Sequence, residues 1–503
     1  MIMYKLFIRI LITTLLCFVL LPAEGYAQMP IKLKVLPSVV PDSADVAYYS
    51  KRHFWRAAGE VVGFNLGLWA FDRYVQKGDY AYISWNSIRE NFKHGFKWDN
   101  DKLGTNMFLH PYNGSLFYNA GRSNGFNYWQ SSLFAIGGSA MWELFMECEY
   151  PSTNDIIATP VGGIAIGEVC FRASDAVIDD RLRGSARFGR ELAVFAISPM
   201  RSISRILTGD AWRVRRTRGR MYGTPNVAIE FSLGVRGLLL NNSANNSAVG
   251  ACGQIDIEYG DRFEEESTAP FDYFTVRADL NGMNSQPVLE QLEIKGRLIA
   301  RELYDVGGKH LSVGMYQHYD YFDSDTIHGL GTRNNKVPYK LGIPASLGCG
   351  FMYRDVDRSG WVMDAYGHVN AVILGSILSD YYDVDERSYN FASGFSLKGG
   401  LNVVFGRDKF SAGISANYYR LYTWKGYREN ANLEFSDPKT LDAQGDRSNA
   451  HFLVTELRSD LRVWKKLYFT LAMSHYWRCT NYRDYPRVNS SSFDIRAMLT
   501  YKL

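Results

Sequence analysis

The alternation of apolar and polar residues that begins near residue 226 constrains the fold of this chain more than any other feature. In the segment "NVAIEFSLGVRGLLL" every second residue from Val227 to Val235 is apolar, whereas Glu230, Ser232 and Arg236 fall on the opposite face. A period of two is that of a β-strand. A strand between lipid and a polar interior requires this pattern, but a soluble β-sandwich produces it as well.

The links between the alternating segments distinguish a barrel from a sandwich. We count roughly twelve segments, an even number as in bacterial single-chain barrels. If the first segment rises, the odd links are long, such as "DSDTIHGLGTRNNKVP", and the even links are short, such as "GRDK". One even link, "DRFEEESTAP", is longer than this rule expects. Because outer-membrane barrels combine long outer loops with short inner turns, we predict a roughly twelve-stranded antiparallel transmembrane β-barrel over residues 226–503.

The first residues predict the cellular compartment. Lys5 and Arg9 precede an apolar run, and small residues follow up to Ala27. This is the layout of a secretory signal, so we predict a signal peptide over residues 1–27, cleaved after Ala27, and a short N-terminal segment over residues 28–44. The formal net charge of +4 gives no indication of a nucleic-acid partner. The expected location is the cell outer membrane, and the expected partners are outer-membrane lipids and other envelope proteins.

Residues 45–225 have a different period. Apolar residues recur there at three- and four-residue spacing, for example in "YWQSSLFAIGGSAMWELFME", and this is the spacing of α-helices. The predicted fold class is therefore α+β, with a helical domain followed by the barrel. The helices carry too many polar residues to face lipid in this interpretation, so we expect them to plug or cap the barrel lumen.

Charged residues interrupt the apolar faces of the helical domain. Glu143 and Glu147 are four residues apart and share one helix face. The same spacing predicts an ordinary helix ion pair between Glu168 and Arg172. Asp155 follows "STN" at the start of a helix, where a cap is expected. Acids among apolar neighbours need partners or shifted pKa values, and we expect the plug to find partners on the charged barrel wall. The wall positions expected to face the plug include Arg277, Glu293 and Arg297.

A functional site is the alternative interpretation of these residues. A histidine, carboxylates and an arginine that converge in a cavity can transfer protons or bind polar groups. Asp99, Asp101 and His110 are candidate metal ligands, but their spacing matches no established pattern, so we predict neither a metal nor a cofactor. The chain contains no H-E-x-x-H motif and no phosphate loop. The catalytic candidates are His110, Glu143, Glu147, Asp155, Glu168 and Arg172.

Three segments carry a family resemblance: "WDNDKLGTNMFLHPYNGSLFYNAGRSNG", "GSAMWELFMECEYPSTNDIIATPVGGIAIGE" and "RASDAVIDD". They resemble the bacterial family called domain of unknown function 3943 over most of residues 50–210. The resemblance implies a secreted protein of a Gram-negative bacterium with a β-rich C-terminal region and no assigned activity. The chain is also similar to VanZ-like helical proteins, whose Asp-Lys, His and Glu positions occur in the same order at Asp101, His110 and Glu143. The histidine lies further from the Asp-Lys pair here than in that pattern.

Three functions are open on the sequence alone. The first is a structural or assembly role in the cell envelope for an outer-membrane barrel with an internal helical plug. The second is a transport channel for a small solute or lipid, opened when the plug shifts. The third is an envelope lipid-modifying enzyme that uses His110 and the acidic cluster. Convergence of His110 with Glu143, Asp155 and Glu168 around a cavity would favour the third.

Overall fold

The chain divides into a helical part and a strand part, in the order that the two hydrophobic periods predict. The predicted signal peptide and parts of the predicted outer loops lie outside the described residues. The computed structural model describes residues 41–240, 247–264, 266–283, 286–327, 337–357, 360–382, 387–406, 408–424, 426, 442 and 445–503.

The second part of the chain forms a closed antiparallel β-barrel. Its strands are β1 Val227–Leu240, β2 Ser247–Tyr259, β3 Glu266–Ser267, β4 Phe274–Asn281, β5 Leu289–Val306, β6 Lys309–Asp323, β7 Lys340–Val356, β8 Val362–Leu378, β9 Tyr389–Phe405, β10 Phe410–Thr423, β11 Ser448–Trp464, β12 Leu467–Tyr482 and β13 Val488–Lys502. The first strand pairs with both β2 and β13, and pairing of β5 with β6 closes the ring. Twelve of the described strands form the wall, and the two-residue β3 pairs beside β5. The predicted α+β class and the roughly twelve-stranded barrel are confirmed.

Alternate residues of the strands face opposite sides of the wall. On β1 the side chains of Leu233 and Val235 are 55% and 60% exposed, whereas Ser232 and Arg236 are buried. Because successive residues of a strand point to opposite faces, the apolar set faces outwards and the polar set faces the lumen. This is the arrangement that a membrane-spanning barrel requires.

Charged residues of the wall pair with one another across the lumen. Arg277 on β4 donates to Glu456 on β11 (Nη1···Oε1 2.7 Å), and Arg458 on β11 donates to Asp256 on β2 (Nη1···Oδ2 3.0 Å). Neither pair of strands is adjacent in the wall, so both contacts cross the interior. An apolar cluster fills the lumen at the end that holds the longer links. Its members include Leu238, Phe322, Leu341, Ile377, Phe452 and Tyr476.

The first part of the chain is helical. Its helices are α1 Ser43–Tyr49, α2 Phe54–Phe71, α3 Trp85–His94, α4 His110–Ser123, α5 Tyr128–Met141, α6 Asp155–Val177, α7 Gly184–Ile197 and α8 Pro199–Thr208. Short π-helical turns, Asp72–Gln76, Thr105–Leu109 and Trp142–Met146, adjoin α2, α4 and α5. A capping box begins α5, where Asn127 accepts from the backbone of Gln130 (3.0 Å) and Gln130 accepts in return (3.3 Å).

Glycines allow α4 and α6 to pack at backbone contact. A Cβ at Gly163 would lie 2.5 Å from the carbonyl carbon of Gly114, and a Cβ at Gly114 would overlap the carbonyl oxygen of Thr159. A side chain at either glycine would force the helices apart. The "GGIAIG" segment is therefore a smooth packing face, as small residues are in tightly packed helix pairs.

The helices lie against the outer surface of the barrel. Gln317 on β6 donates to the backbone carbonyl of Val161 (2.9 Å), and Tyr319 donates to the π-helical turn before α4. Asp320, the next residue on β6, pairs instead with Lys398 on β9, which is not adjacent to β6, so this contact crosses the lumen. Gln317 and Tyr319 must then face outwards, and so must the helices that they contact.

The prediction that the helices plug or cap the barrel lumen is therefore wrong. Charged wall residues such as Arg277 and Arg458 pair across the lumen with other wall residues and not with the helices. The helices pack instead on apolar residues of the outer wall, where Trp98 contacts Phe391 and Phe108 contacts Tyr321. The three wall residues expected to face the plug have other partners: Arg277 pairs with Asp256 and Glu456, Glu293 accepts from Asn417, and Arg297 pairs with Asp272.

Candidate functional site

Four of the six catalytic candidates meet where three helical segments begin or end. His110 begins α4 directly after a π-helical turn, and Asp155 begins α6. Glu143 lies in the π-helical turn after α5, and Glu147 follows that turn. Because α4 and α6 start side by side, the first turns of both helices converge with the end of α5.

This end of the helical domain lies beside the longer links of the barrel. The backbone N–H of Trp98 donates to Asp442 in the link between β10 and β11 (3.0 Å). Asn106 donates to the side chain of Asp99 (2.6 Å) and to the hydroxyl of Tyr389 at the start of β9 (2.7 Å). The barrel thus holds the Asp99 segment in place over the start of α4.

His110 lies between two carboxylates. Its Nε2 is 3.9 Å from Asp101 Oδ2 and 3.8 Å from Asp155 Oδ1. Asn154 donates to Asp155 Oδ1 (2.9 Å), which fixes that carboxylate beside the ring. A histidine placed between carboxylates is held in a position suited to accepting a proton.

Two further acids complete this end of the domain. The Glu143 carboxylate is buried and accepts from the backbone N–H of Ser152 (2.7 Å). The Glu147 carboxylate accepts from the indole of Trp142. Burial raises the pKa of Glu147 to about 8, against the opposing effect of the nearby His110. Glu147 therefore favours its neutral form near pH 7.

A small cavity joins His110 to Glu143. Its volume is about 10 Å³, and its lining includes Ser139 and Thr159. The hydroxyl of Thr159 is buried and has no hydrogen-bond partner within the described part of the chain. A cavity of this size holds about one water molecule, so it offers room for a proton-carrying water and not for an organic substrate.

The candidate metal ligands come together. One ligand atom each from Asp99, Asp101 and His110 lies within 4.8 Å of the others. Two carboxylates and an imidazole are ligands that bind several divalent cations. Glu302, Asp305 and His310 form a second group of this kind at the turn between β5 and β6.

Glu168 and Arg172 belong to a separate cluster. Glu168 accepts two bonds from Arg122 of α4 (2.7 and 3.1 Å), one from Arg172 (2.8 Å) and one from the hydroxyl of Tyr118 (2.7 Å). All four side chains are buried. Thirteen positions along α6 separate Glu168 from Asp155, which corresponds to about 20 Å. The six candidates therefore do not form a single site.

Sequence reasoning missed Arg122, Tyr118 and Asn106. The predicted pair of Glu168 and Arg172 is present, but its strongest partner, Arg122, is 46 residues away and could not be placed by helical spacing. The sequence did contain an indication of this contact, because an arginine inside an apolar helix requires a buried acid as its partner.

Residues 95–200 match the family model described as Domain of unknown function (DUF3943). The resemblance that the three sequence segments indicate is thus confirmed over these residues. The curated proteins include no match to this chain.

Outer-membrane barrels are among the solved structures that the chain matches. The outer membrane channel DcaP of Acinetobacter baumannii is 8% identical over 56% of this chain and 97% of that chain, with a TM-score of 0.22. The Pseudomonas putida toluene transporter TodX is 9% identical over 55% and 89%, with a TM-score of 0.22. The β domain of the Bordetella autotransporter BrkA is 11% identical over 56% and 100%, also with a TM-score of 0.22. Likenesses this distant carry no argument about function, and the barrel assignment rests on the strand pairing.

Proposed function

We propose that this chain, whose residues 95–200 belong to the family described as Domain of unknown function (DUF3943), has a structural or assembly role in the outer membrane. In this proposal the barrel is a sealed anchor, and the helical domain on its outer wall is the part that meets other envelope components. Cleavage after Ala27 and contact with outer-membrane lipids belong to the same proposal.

The pairing of charges across the lumen carries this proposal. Arg236 on β1 donates to Asp494 on β13 (2.7 Å) and contacts Glu290 at the start of β5. Arg496 on β13 donates to Asp494 (2.9 Å) and to Glu290 (3.2 Å). Because β5 is not adjacent to β1 or β13, Glu290 links two distant parts of the wall.

Opening a path through this lumen would be energetically costly. Separating one partner of a buried ion pair typically destabilises a protein by about 3–5 kcal/mol. A solute path past Glu290 would separate Glu290 from both arginines. The same path would then have to pass the aromatic and aliphatic cluster at the end of the lumen that holds the longer links. These costs support a sealed barrel over a transport channel.

Conductance in planar bilayers tests the sealed barrel. We expect the wild-type protein, once its insertion has been verified by heat-modifiability, to give no stable current steps. Replacing Arg236, Glu290 and Arg496 by serine together with the cluster residues Phe322, Phe452 and Tyr476 by alanine should produce current steps, because the side chains of both obstructions are then shortened. The half-buried pair of Glu302 on β5 and His310 on β6, next to the turn that joins these strands, provides a serine control that should stay silent. Stable steps from the wild-type protein would refute the proposal.

A lipid-modifying enzyme is the second candidate. The position of His110 between Asp101 and Asp155, beside a water-sized cavity with Glu143, supports it. If this candidate were correct, His110→Gln would change the masses of outer-membrane lipids without lowering the stability of the protein. His94→Gln is the matched control, because His94 pairs with Glu90 on the exposed surface. Unchanged lipid masses in the His110 variant would eliminate the enzymatic function.

A further inference from the structure

Helix α2 has an inverted distribution of polar and apolar residues. Trp55 is 85% exposed and Leu66 is 48% exposed, whereas Glu60 is 8% exposed and Asn65 is fully buried. The other exposed positions of this helix are also apolar: Phe54, Gly59, Val62, Gly63 and Gly67. A helix on the surface of a water-soluble domain shows the opposite arrangement.

The buried polar residues of α2 have partners inside the helical domain. Glu60 accepts from Asn124 (2.8 Å) and from the hydroxyl of Ser204 on α8 (2.6 Å). Asn65 donates to the backbone carbonyl of Gly138 on α5 (3.3 Å). The buried face of α2 therefore includes polar, hydrogen-bonded residues beside apolar ones such as Val61, while its exposed face is apolar.

Helices α5 and α8 repeat the inversion. On α5, Trp129 and Leu133 are exposed and Ser131 and Ser139 are buried. On α8 the exposed residues are Ile203, Ile206 and Leu207. The residues of α8 that are buried include Arg201, Ser202, Ser204 and Arg205. An apolar face shared by three helices of one domain indicates an apolar surrounding.

The lengths of α2 and α6 match the hydrocarbon layer of a membrane. With the π-helical turn that continues it, α2 extends over 23 residues, and α6 has the same length. At a rise of about 1.5 Å per residue each is about 34 Å long, compared with about 25–30 Å for the layer. Within the described chain, α6 is the one helix that qualifies as a membrane span by length and composition, a test that a buried core helix also passes.

Exposed aromatic residues mark both ends of the bundle. At one end Trp55 and Trp129 lie at the starts of α2 and α5. These two starts are close together, because the backbone N–H of His53, just before α2, donates to the backbone carbonyl of Asn124, shortly before α5 (3.0 Å). At the other end Tyr74 follows α2. Aromatic side chains concentrate at both interfaces of membrane-embedded proteins.

We infer that the helical domain lies within the lipid of the outer membrane, beside the barrel, and that acyl chains cover the exposed faces of α2 and α5. The helices pack on outward residues of β6 and β7, positions that lipid covers elsewhere on the wall. The apolar surface of the bundle thus continues the apolar surface of the barrel. The buried cluster of Arg122, Glu168 and Arg172 forms the ion-paired interior that a lipid-embedded helix bundle requires.

Spin labels at single cysteines test this location in the full-length protein. The five cysteines after the predicted signal are first replaced by alanine, and labels are placed at Leu66 on α2 and Ile136 on α5. Leu233 on the lipid-facing wall and Lys309 at a barrel turn are the matched references. The protein is reconstituted in vesicles of phosphatidylethanolamine and phosphatidylglycerol. Collision rates with oxygen, which concentrates in lipid, and with a water-soluble nickel chelate are then compared.

We expect the oxygen-to-nickel ratio at Leu66 and Ile136 to equal that at Leu233 and to exceed that at Lys309 several-fold. A ratio equal to that at Lys309 would place the helices in water and overturn the inference. Spin–spin broadening at Leu66 would also overturn it, because a second copy packed on Gly59, Gly63 and Gly67 would then cover this face.

A second measurement uses the unmodified protein, in case the cysteine-free variant fails to fold. A phospholipid with a photoactivatable diazirine in its acyl chain is included in the same vesicles, and cross-linked peptides are mapped by mass spectrometry. Adducts on α2 and α5 at a yield similar to that on β1 support the inference. Adducts confined to the strands refute it. Neither result depends on whether the barrel is sealed.

Discussion

Replacing Glu168 by alanine should strongly destabilise the helical domain. Glu168 is fully buried and accepts four hydrogen bonds, three of them from Arg122 and Arg172. The Glu168→Ala variant keeps both guanidinium groups in the interior and removes the carboxylate that neutralises them. The two arginines would then repel each other without a counter-ion.

The expected loss follows from the burial of the cluster. Removing one partner of a buried ion pair costs about 3–5 kcal/mol. With a urea dependence of about 2 kcal/mol per molar for a domain of this size, the midpoint of unfolding should fall by about 1.5–2.5 M. Glu90, whose pairs with Lys93 and His94 are exposed, is the matched control. Glu90→Ala should lower the stability by at most about 1 kcal/mol.

Far-UV circular dichroism at 222 nm in micelles follows the helices, and heat-modifiability on gels follows the barrel in the same samples. We expect the helical transition of Glu168→Ala to shift while the barrel band does not change. A triple variant with methionine at Glu168, Arg122 and Arg172 should recover most of the stability, because no buried charge remains. A midpoint within 0.5 M of the wild-type value, on the order of the surface-pair effect, would show that the cluster is not buried as described.

Three further predictions concern packing, exposure and titration. Gly163→Leu should prevent α4 from packing on α6 and abolish the helical transition, whereas Gly59→Leu, with open space around the added side chain, should leave it unchanged. Cys349, exposed on the outer face of β7, should react in vesicles with a lipid-soluble maleimide within minutes, while buried Cys479 should not; equal labelling would contradict the assigned faces. The folded-state pKa of Glu147 is about 8 and its ordinary value is 4.5, so the carboxyl stays protonated to a higher pH in the folded state than in the unfolded state. Urea midpoints should therefore fall between pH 5 and pH 8 and then level off, and Glu147→Gln should make this decline smaller.

The barrel could be predicted from the sequence because its signals are local. Alternation alone shows that residues such as Leu233 and Arg236 on β1 lie on opposite faces of the strand. The alternation of long and short links indicates that the strands form a barrel and not a sandwich. The predicted ion pair of Glu168 with Arg172 is likewise a local helical spacing and is present at 2.8 Å. Features that repeat every two or every four residues are readable without knowing the tertiary structure.

The location of the helices could not be read in the same way. Period and spacing show that Glu60 lies on a different face of α2 from Val62 and Leu66, but not which of these faces meets water. Polar residues in these helices were interpreted as a reason to avoid lipid, whereas they are directed inwards, towards one another. His110 and Asp155 were separately recognised, and only the side-by-side starts of α4 and α6 bring them within 3.8 Å.

The position of the helices on the outer wall also determines the order in which the protein can assemble. The helical domain precedes β1 in the chain, yet α6 packs on β5, β6 and β7. The surface that receives the first domain is therefore made by strands that follow it, in a ring that the last strand completes by pairing with the first. The helical domain therefore waits, with its apolar faces uncovered, until the barrel wall exists. We therefore expect any factor that protects the unassembled chain to cover the helices for longer than the strands.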